Sequence, residues 1–159
     1  MARKEDKVFE RTYGQFELVF LILITIMFSI AFTTIIPFVK VYTNGADINY
    51  VYPVIGALFI INEFLYSIKT PQGMIINAAG LFKENRVQIS IQGGLCIVFG
   101  IILVLIPDVG LIGILIGRII SNLYRDIDLL FFMPKHIKEI ELKKTLLKWI
   151  VGVVTFTLC

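Results

Sequence analysis

The sequence predicts an all-α membrane protein: four transmembrane helices followed by the truncated start of a fifth. Three observations carry this prediction. First, 57% of the 159 residues are hydrophobic and only 17% are charged, whereas a soluble domain carries about 25% charged residues. So little charge does not cover a soluble surface. Second, long uncharged runs recur, the first over 18–39, and about 20 apolar residues span the roughly 30 Å hydrocarbon core of a bilayer. Third, lysines and arginines gather in alternate intervals between these runs, which is how membrane topology is written in sequence.

Residues 1–14 form a charged N-terminal segment, and the first span is set at 15–40. Its apolar run is longer than that of a signal peptide and ends in no small-residue cleavage site, so it is a retained span. Pro37 lies in its last turn, where a kink or a helix end is tolerated. Asn44-Gly45 then marks a turn. The second span covers 48–70, with Tyr50, Tyr52 and Pro53 at an interfacial start and Glu63 interrupting it. Pro71 and Gly73 break the pattern, giving a short helical or re-entrant piece and then a basic loop with Lys83 and Arg86. The third span, 87–106, is uncharged, and Pro107 to Gly110 is a tight turn. The fourth span covers 109–132, and a basic loop over 133–144 opens on Pro134 as a stop. A fifth apolar segment begins at 145 but has only eleven uncharged residues, 149–159, too few to span. The expectation is a chain cut within a helix.

The base-rich intervals are the N-terminus (Arg3, Lys4, Lys7, Arg11), the stretch holding Lys69, Lys83 and Arg86, and the last loop (Lys135, Lys138, Lys143, Lys144). The first loop has only Lys40, and the turn after the third span has none. By the positive-inside rule, the N-terminus and the loop after span four are cytoplasmic. The expected location is the cytoplasmic membrane, as a multi-pass protein whose first partner is the lipid bilayer.

Several function classes are disfavoured. Cys96 and Cys159 lie in apolar stretches without partner spacing, and behave as small apolar residues. His136 has no Cys or His nearby in sequence, so no metal site is expected. No cofactor is expected either. Phosphate-binding glycine loops, zinc motifs and nucleophile elbows are lacking, which argues against an enzyme. The net charge of +3 comes from short loops rather than an aromatic-interleaved basic patch, so no nucleic-acid partner is expected. Glu17, Asp126, Asp128, Glu139 and Glu141 read as solvated charge at membrane edges, with Arg125 and Asp126 among lipid headgroups.

Each span carries small or polar residues four apart, hence on one helix face. The stripes are Thr25, Ser29 and Thr33; Gly56, Glu63 and Ser67 with Asn62 beside them; Gln88, Gln92, Cys96 and Gly100; and Gly113, Gly117 and Ser121 with Arg118 and Asn122 adjacent. Plain helix packing explains most of them. Arg118 asks for more. It lies roughly 13 Å from the outer end of its span, near the midplane, where its charge costs ~3 kcal/mol or more. Glu63 is similarly internal. Such residues face a bundle interior or a wet cavity, and the two are expected either to pair structurally or to line a substrate path. Arg118, Glu63, Asn62, Gln88 and Gln92 are the substrate-path candidates. Lys69, Lys83 and Arg86 are expected to attract headgroups or, more simply, to set topology. A cationic path suits an anionic substrate, because guanidinium grips phosphate bidentately.

The order of several elements resembles a known family. These are Ala78-Ala79-Gly80 before a basic turn, the polar start of the next helix, "VGLIGILIG" leading into the fourth span, and "PFVKVYTNGADINYVYP" upstream. Over most of 8–145 the chain is similar to the C-terminal part of Wzx-type polysaccharide flippases, lipid-linked oligosaccharide transporters of the multidrug/oligosaccharidyl-lipid/polysaccharide superfamily. Cys96 departs from the pattern, where a polar residue such as Asn is expected; Gln92 and Gly100 keep the stripe. The resemblance implies a fold of 12–14 helices in two lobes that rock about a central cavity. The four spans would be the last four helices of the second lobe. It also implies an isoprenoid-diphosphate-linked glycan as substrate, the remaining helices of a parent transporter as partners, and Arg118 facing the cavity. Two alternatives stay open: a small-molecule or drug antiporter of the same superfamily, and a non-transport subunit of a polysaccharide-assembly complex. An immunoblot of cell membranes separates them. The flippase reading expects a product roughly three times this length, whereas a stable product of 159 residues favours the subunit.

Overall fold

The computed structural model describes residues 2–44, 52–107, 109–137 and 142–158. These fold into helices alone: α1 (Ala2–Tyr42), α2 (Pro53–Ile68), α3 (Thr70–Ala78), α4 (Phe82–Val104), α5 (Gly110–His136) and α6 (Leu142–Leu158). The turn expected at Gly45, the start of the second span at 48–51, Asp108, the loop charges Lys138, Glu139 and Glu141, and Cys159 lie outside the described residues.

Two of the helices are long and apolar enough to cross a membrane: α1 over Val8–Tyr42, and α4. The sequence assigns four spans, and the other two fall short for different reasons. α2 has 16 residues, about 24 Å at 1.5 Å per residue. α5 has 27 residues but interrupts its apolar surface with Arg118, Arg125, Asp126 and Asp128.

Several element boundaries differ from the sequence reading. The charged N-terminal segment is helical and continuous with α1. Pro37 does not end that helix; it removes one backbone bond near the terminus, and the Thr43 N–H bond to the Val39 carbonyl (2.9 Å) closes the turn beyond it. Lys83 and Arg86 lie on the first turns of α4 rather than in a loop. The reason is the tight corner before them. Gly80 adopts φ 68°, its N–H bonds to the Asn77 carbonyl (3.2 Å), and the Leu81 N–H bonds to the Ile76 carbonyl (3.1 Å). That pair of bonds is a Schellman motif, and Leu81 packs on the cluster that contains Ile76. Three residues, Ala79, Gly80 and Leu81, join the two helices. α5 likewise runs through Pro134 to His136, with the His136 ring stacked on Phe132 at 4.2 Å.

The contacts fix the helix directions. Gly56 meets Ile35 and Ile36, and Phe64 meets Phe28, so α2 returns antiparallel along α1. Gly113 meets Leu103, and Gly117 meets Gly100, so α5 returns along α4. Lys148 reaches Gly14 and Glu17, Gly152 meets Leu21, and Phe156 meets Phe32. Hence α6 runs parallel to α1. This up-and-down order puts Arg11, Lys69, Lys83, Arg86, Arg125, Lys135 and Lys148 toward one end, and Lys40 at the other. α3 closes the base-rich end. There Tyr13, Ile76, Leu129, Phe132 and Met133 form one core cluster. Leu21, Ile24, Phe64, Ile68 and Trp149 form another, between α1, α2 and α6.

The closest helix pair is α4 with α5. A Cβ built on Gly117 would lie 2.7 Å from the Gly100 nitrogen and 3.0 Å from its Cα. On Gly113 it would lie 2.8 Å from the Leu103 carbonyl carbon. Backbone cannot yield as a side chain does, so these glycines are required for the approach. We expect Gly117→Ala to destabilise the detergent-solubilised protein by about 2 kcal/mol, the scale of core overpacking, and Gly117→Leu to abolish the folded state. Gly93→Ala and Gly94→Ala on α4, where an added Cβ meets nothing within 4 Å, should melt at or above the wild-type temperature. Thermal unfolding followed by circular dichroism checks all four.

Candidate functional site: a polar seam between α2, α4 and α5

α5 presents two stripes. Gly113, Gly117, Ser121 and Arg125, each four apart, face α4. Ser121 Oγ donates to the Gln92 carbonyl (2.7 Å), and Arg125 Nη2 donates to Asn85 Oδ1. The second stripe, Arg118, Asn122 and Asp126, faces α2. Arg118 Nη2 lies 2.9 Å from Glu63 Oε1, and Asn122 Nδ2 donates to Asn62 Oδ1 (2.8 Å). Lys69 Nζ donates to Asp126 Oδ1 (3.1 Å) and to Asn122 Oδ1 (2.9 Å).

Between the stripes the hydrogen bonds form one chain. Asn62 Nδ2 donates to Glu63 Oε1 (3.3 Å), and Gln92 Nε2 donates to Asn122 Oδ1 (3.1 Å). The chain therefore runs from Arg118 through Glu63, Asn62 and Asn122 to Lys69 and Asp126. Nearer the base-rich end, Arg125 Nη1 pairs with Asp128, and Tyr124 Oη donates to Gln88 Oε1 (2.7 Å). The seam holds three cations, and each has a carboxylate partner.

The structure thus brings all five substrate-path candidates onto this seam: Arg118, Glu63, Asn62 and Gln92 on its main chain, and Gln88 at its edge. Lys83 and Arg86 are exposed on α4. Three readings are corrected. Lys69 is not a solvent-exposed charge. It sits at the junction of α2 and α3, only 8% exposed, because Asp126 and Asn122 replace the water it loses. Arg125 and Asp126 are not solvated edge charges; they are 4% and 6% exposed, on the inward faces of α5. Nor is Glu17 solvated: it is buried and accepts from Lys148 Nζ (2.6 Å). The signal for the α5 residues was available as spacing. Asn122 and Asp126 continue the face of Arg118 at four-residue steps, and Arg125 continues that of Gly117 and Ser121.

No family model matches this chain, and neither a curated protein nor a solved structure matches it.

Burial makes the Lys69–Asp126 pair asymmetric in its response to substitution. Removing one partner strands the other charge, which costs about 3–5 kcal/mol, whereas replacing both by apolar groups is close to neutral. We expect Asp126→Ala to lose that amount, and Lys69→Met/Asp126→Leu to recover most of it. A double-mutant cycle on unfolding free energy decides. Additive losses would show that the two side chains do not act as a pair.

Proposed function

We propose that this chain is part of a membrane transporter that moves lipid-linked oligosaccharide or polysaccharide precursors outward across the cytoplasmic membrane. In this reading α1, α2, α4 and α5 cross the bilayer, and the base-rich end is cytoplasmic. The 41 residues of α1 extend about 60 Å, twice the hydrocarbon thickness, so its charged first turns project beyond the membrane. Among the described residues no group of three or more His, Cys, Asp or Glu is placed to hold a metal ion.

One observation carries the transport reading. Arg118 lies about 12 Å along α5 and Glu63 about 15 Å along α2, so their ion pair is at mid-depth. Yet the Arg118 side chain remains 42% exposed and that of Glu63 28%. Hydrocarbon does not accept an ion pair left so open. This face of α2 and α5 therefore borders water or further polar protein. A guanidinium with donors to spare, on a wet surface at mid-membrane, is suited to a diphosphate or an acidic sugar.

Substitution in the cell's own copy of the gene tests this. Arg118→Ala should cut delivery of the lipid-linked glycan to the outer face at least tenfold at normal protein abundance. Arg118→Lys, which keeps charge but not the bidentate fork, should retain part of it. If both variants deliver glycan at the wild-type rate, the proposed role is wrong.

A further inference from the structure

A cavity of about 470 Å³ opens at the base-rich end, between α2, α3, α4 and α5. That is within the ~300–1,000 Å³ range of small-ligand sites. It lies below the Arg118–Glu63 pair, and neither residue lines it. Its walls carry two cations, Lys69 and Arg125, with the amides of Asn77, Asn85 and Gln92 and the phenol of Tyr66. No carboxylate lines it among the described residues. Asp126 and Asp128 instead hold the two cations from outside the lining.

The arrangement is preorganised. Lys69 and Arg125 are each more than nine-tenths buried and fixed by hydrogen bonds to Asn122 and Asn85, so an entering ligand does not pay to order them. Beyond the protons given to Asp128 and Asn85, Arg125 keeps one on each terminal nitrogen, and Lys69 keeps a third beyond those given to Asn122 and Asp126; such donors suit an oxyanion. The adjoining apolar lining, Met74, Ile89 and Leu129, suits the first carbons of an ester.

We propose that this cavity binds a phosphate group, carried either by an anionic lipid headgroup entering from the leaflet at the base-rich end or by a soluble phosphate. The lipid source rests on the transporter reading above; the phosphate chemistry rests on the cavity alone. Two substitutions probe it without touching the buried ion pairs. Gly73 lines the cavity, and a Cβ there meets nothing within 4 Å, so Gly73→Leu fills the space without a backbone clash. Asn77 is exposed, and Asn77→Asp brings a negative charge to the wall.

The test uses the purified full chain. In detergent, the probes are inorganic phosphate and pyrophosphate, read by the shift in melting temperature. In phosphatidylcholine vesicles with or without phosphatidic acid, the readout is lipid retained on the protein by native mass spectrometry. Both variants should melt like wild type without anion. Loss of soluble-probe affinity by tenfold or more in either variant assigns a soluble phosphate site. Selective retention of phosphatidic acid, lost in either variant, assigns a headgroup site. Equal binding by wild type and both variants, or no selective binding by wild type, overturns the proposal. Phosphate binding that survives while Arg118 variants transport normally would remove the transporter reading and leave this site standing.

Discussion

A side-chain amide has two acceptor lone pairs and two donor protons, and Asn122 spends three of the four on three different places in the fold. Its oxygen accepts from Lys69 at the junction of α2 and α3 and from Gln92 on α4, and its nitrogen donates to Asn62 on α2. At 2% exposure no water replaces a lost bond, and an unmade buried hydrogen bond costs about 1–3 kcal/mol. The position of Asn122 therefore fixes the register of α2 and α4 against α5 together. A one-residue slip of any of the three would strand polar groups in the interior, whereas apolar packing alone would tolerate it far better.

The glycine contacts make this geometry reachable. Gly117 on Gly100, and Gly113 on Leu103, bring the α4 and α5 backbones within contact distance. Only then can the short Ser121 hydroxyl reach the Gln92 carbonyl at 2.7 Å. Close approach adds dispersion contacts along the whole interface, and in a lipid setting such packing replaces the hydrophobic drive that water supplies elsewhere. One helix thus carries two unlike interfaces. Its small-residue stripe sets the distance to α4, and its polar stripe sets the register to α2.

Much of the helical architecture was legible because its signals are local. Uncharged runs and the four-residue spacing of Gly113, Gly117 and Ser121 act through the chain's own backbone geometry. The pairing of Glu63 with Arg118 was legible as an option, since two internal opposite charges favour meeting. The fates of Lys69, Arg125, Asp126 and Glu17 were not. A charge beside an apolar run reads as an interfacial one, because burial depends on partners 40 to 131 residues away. Sequence distance hides those partners, and composition cannot distinguish a charge that meets water from one that meets its counter-ion. The boundaries around Lys83 and Arg86 were missed for a related reason. A basic stretch resembles a loop until the Schellman corner shows that three residues complete the turn.

The exposure of the seam's charges divides them by role. Lys69, Arg125 and Asp126 are buried and each meets an opposite charge or an amide, which holds them in fixed places. Arg118 and Glu63 are bonded to each other and still open. A pair that served packing alone would be covered, because exposure to hydrocarbon raises its cost without adding a contact. Under the transport reading proposed above, the pair would border water and the carboxylate would yield the guanidinium to an incoming anion. The hydrogen-bond chain through Asn62 and Asn122 connects that exchange to the buried Lys69–Asp126 pair. Opening the outer pair would thus alter the bonds that fix α2 against α5, and the element that meets the ligand would also be the element that holds the helices in register.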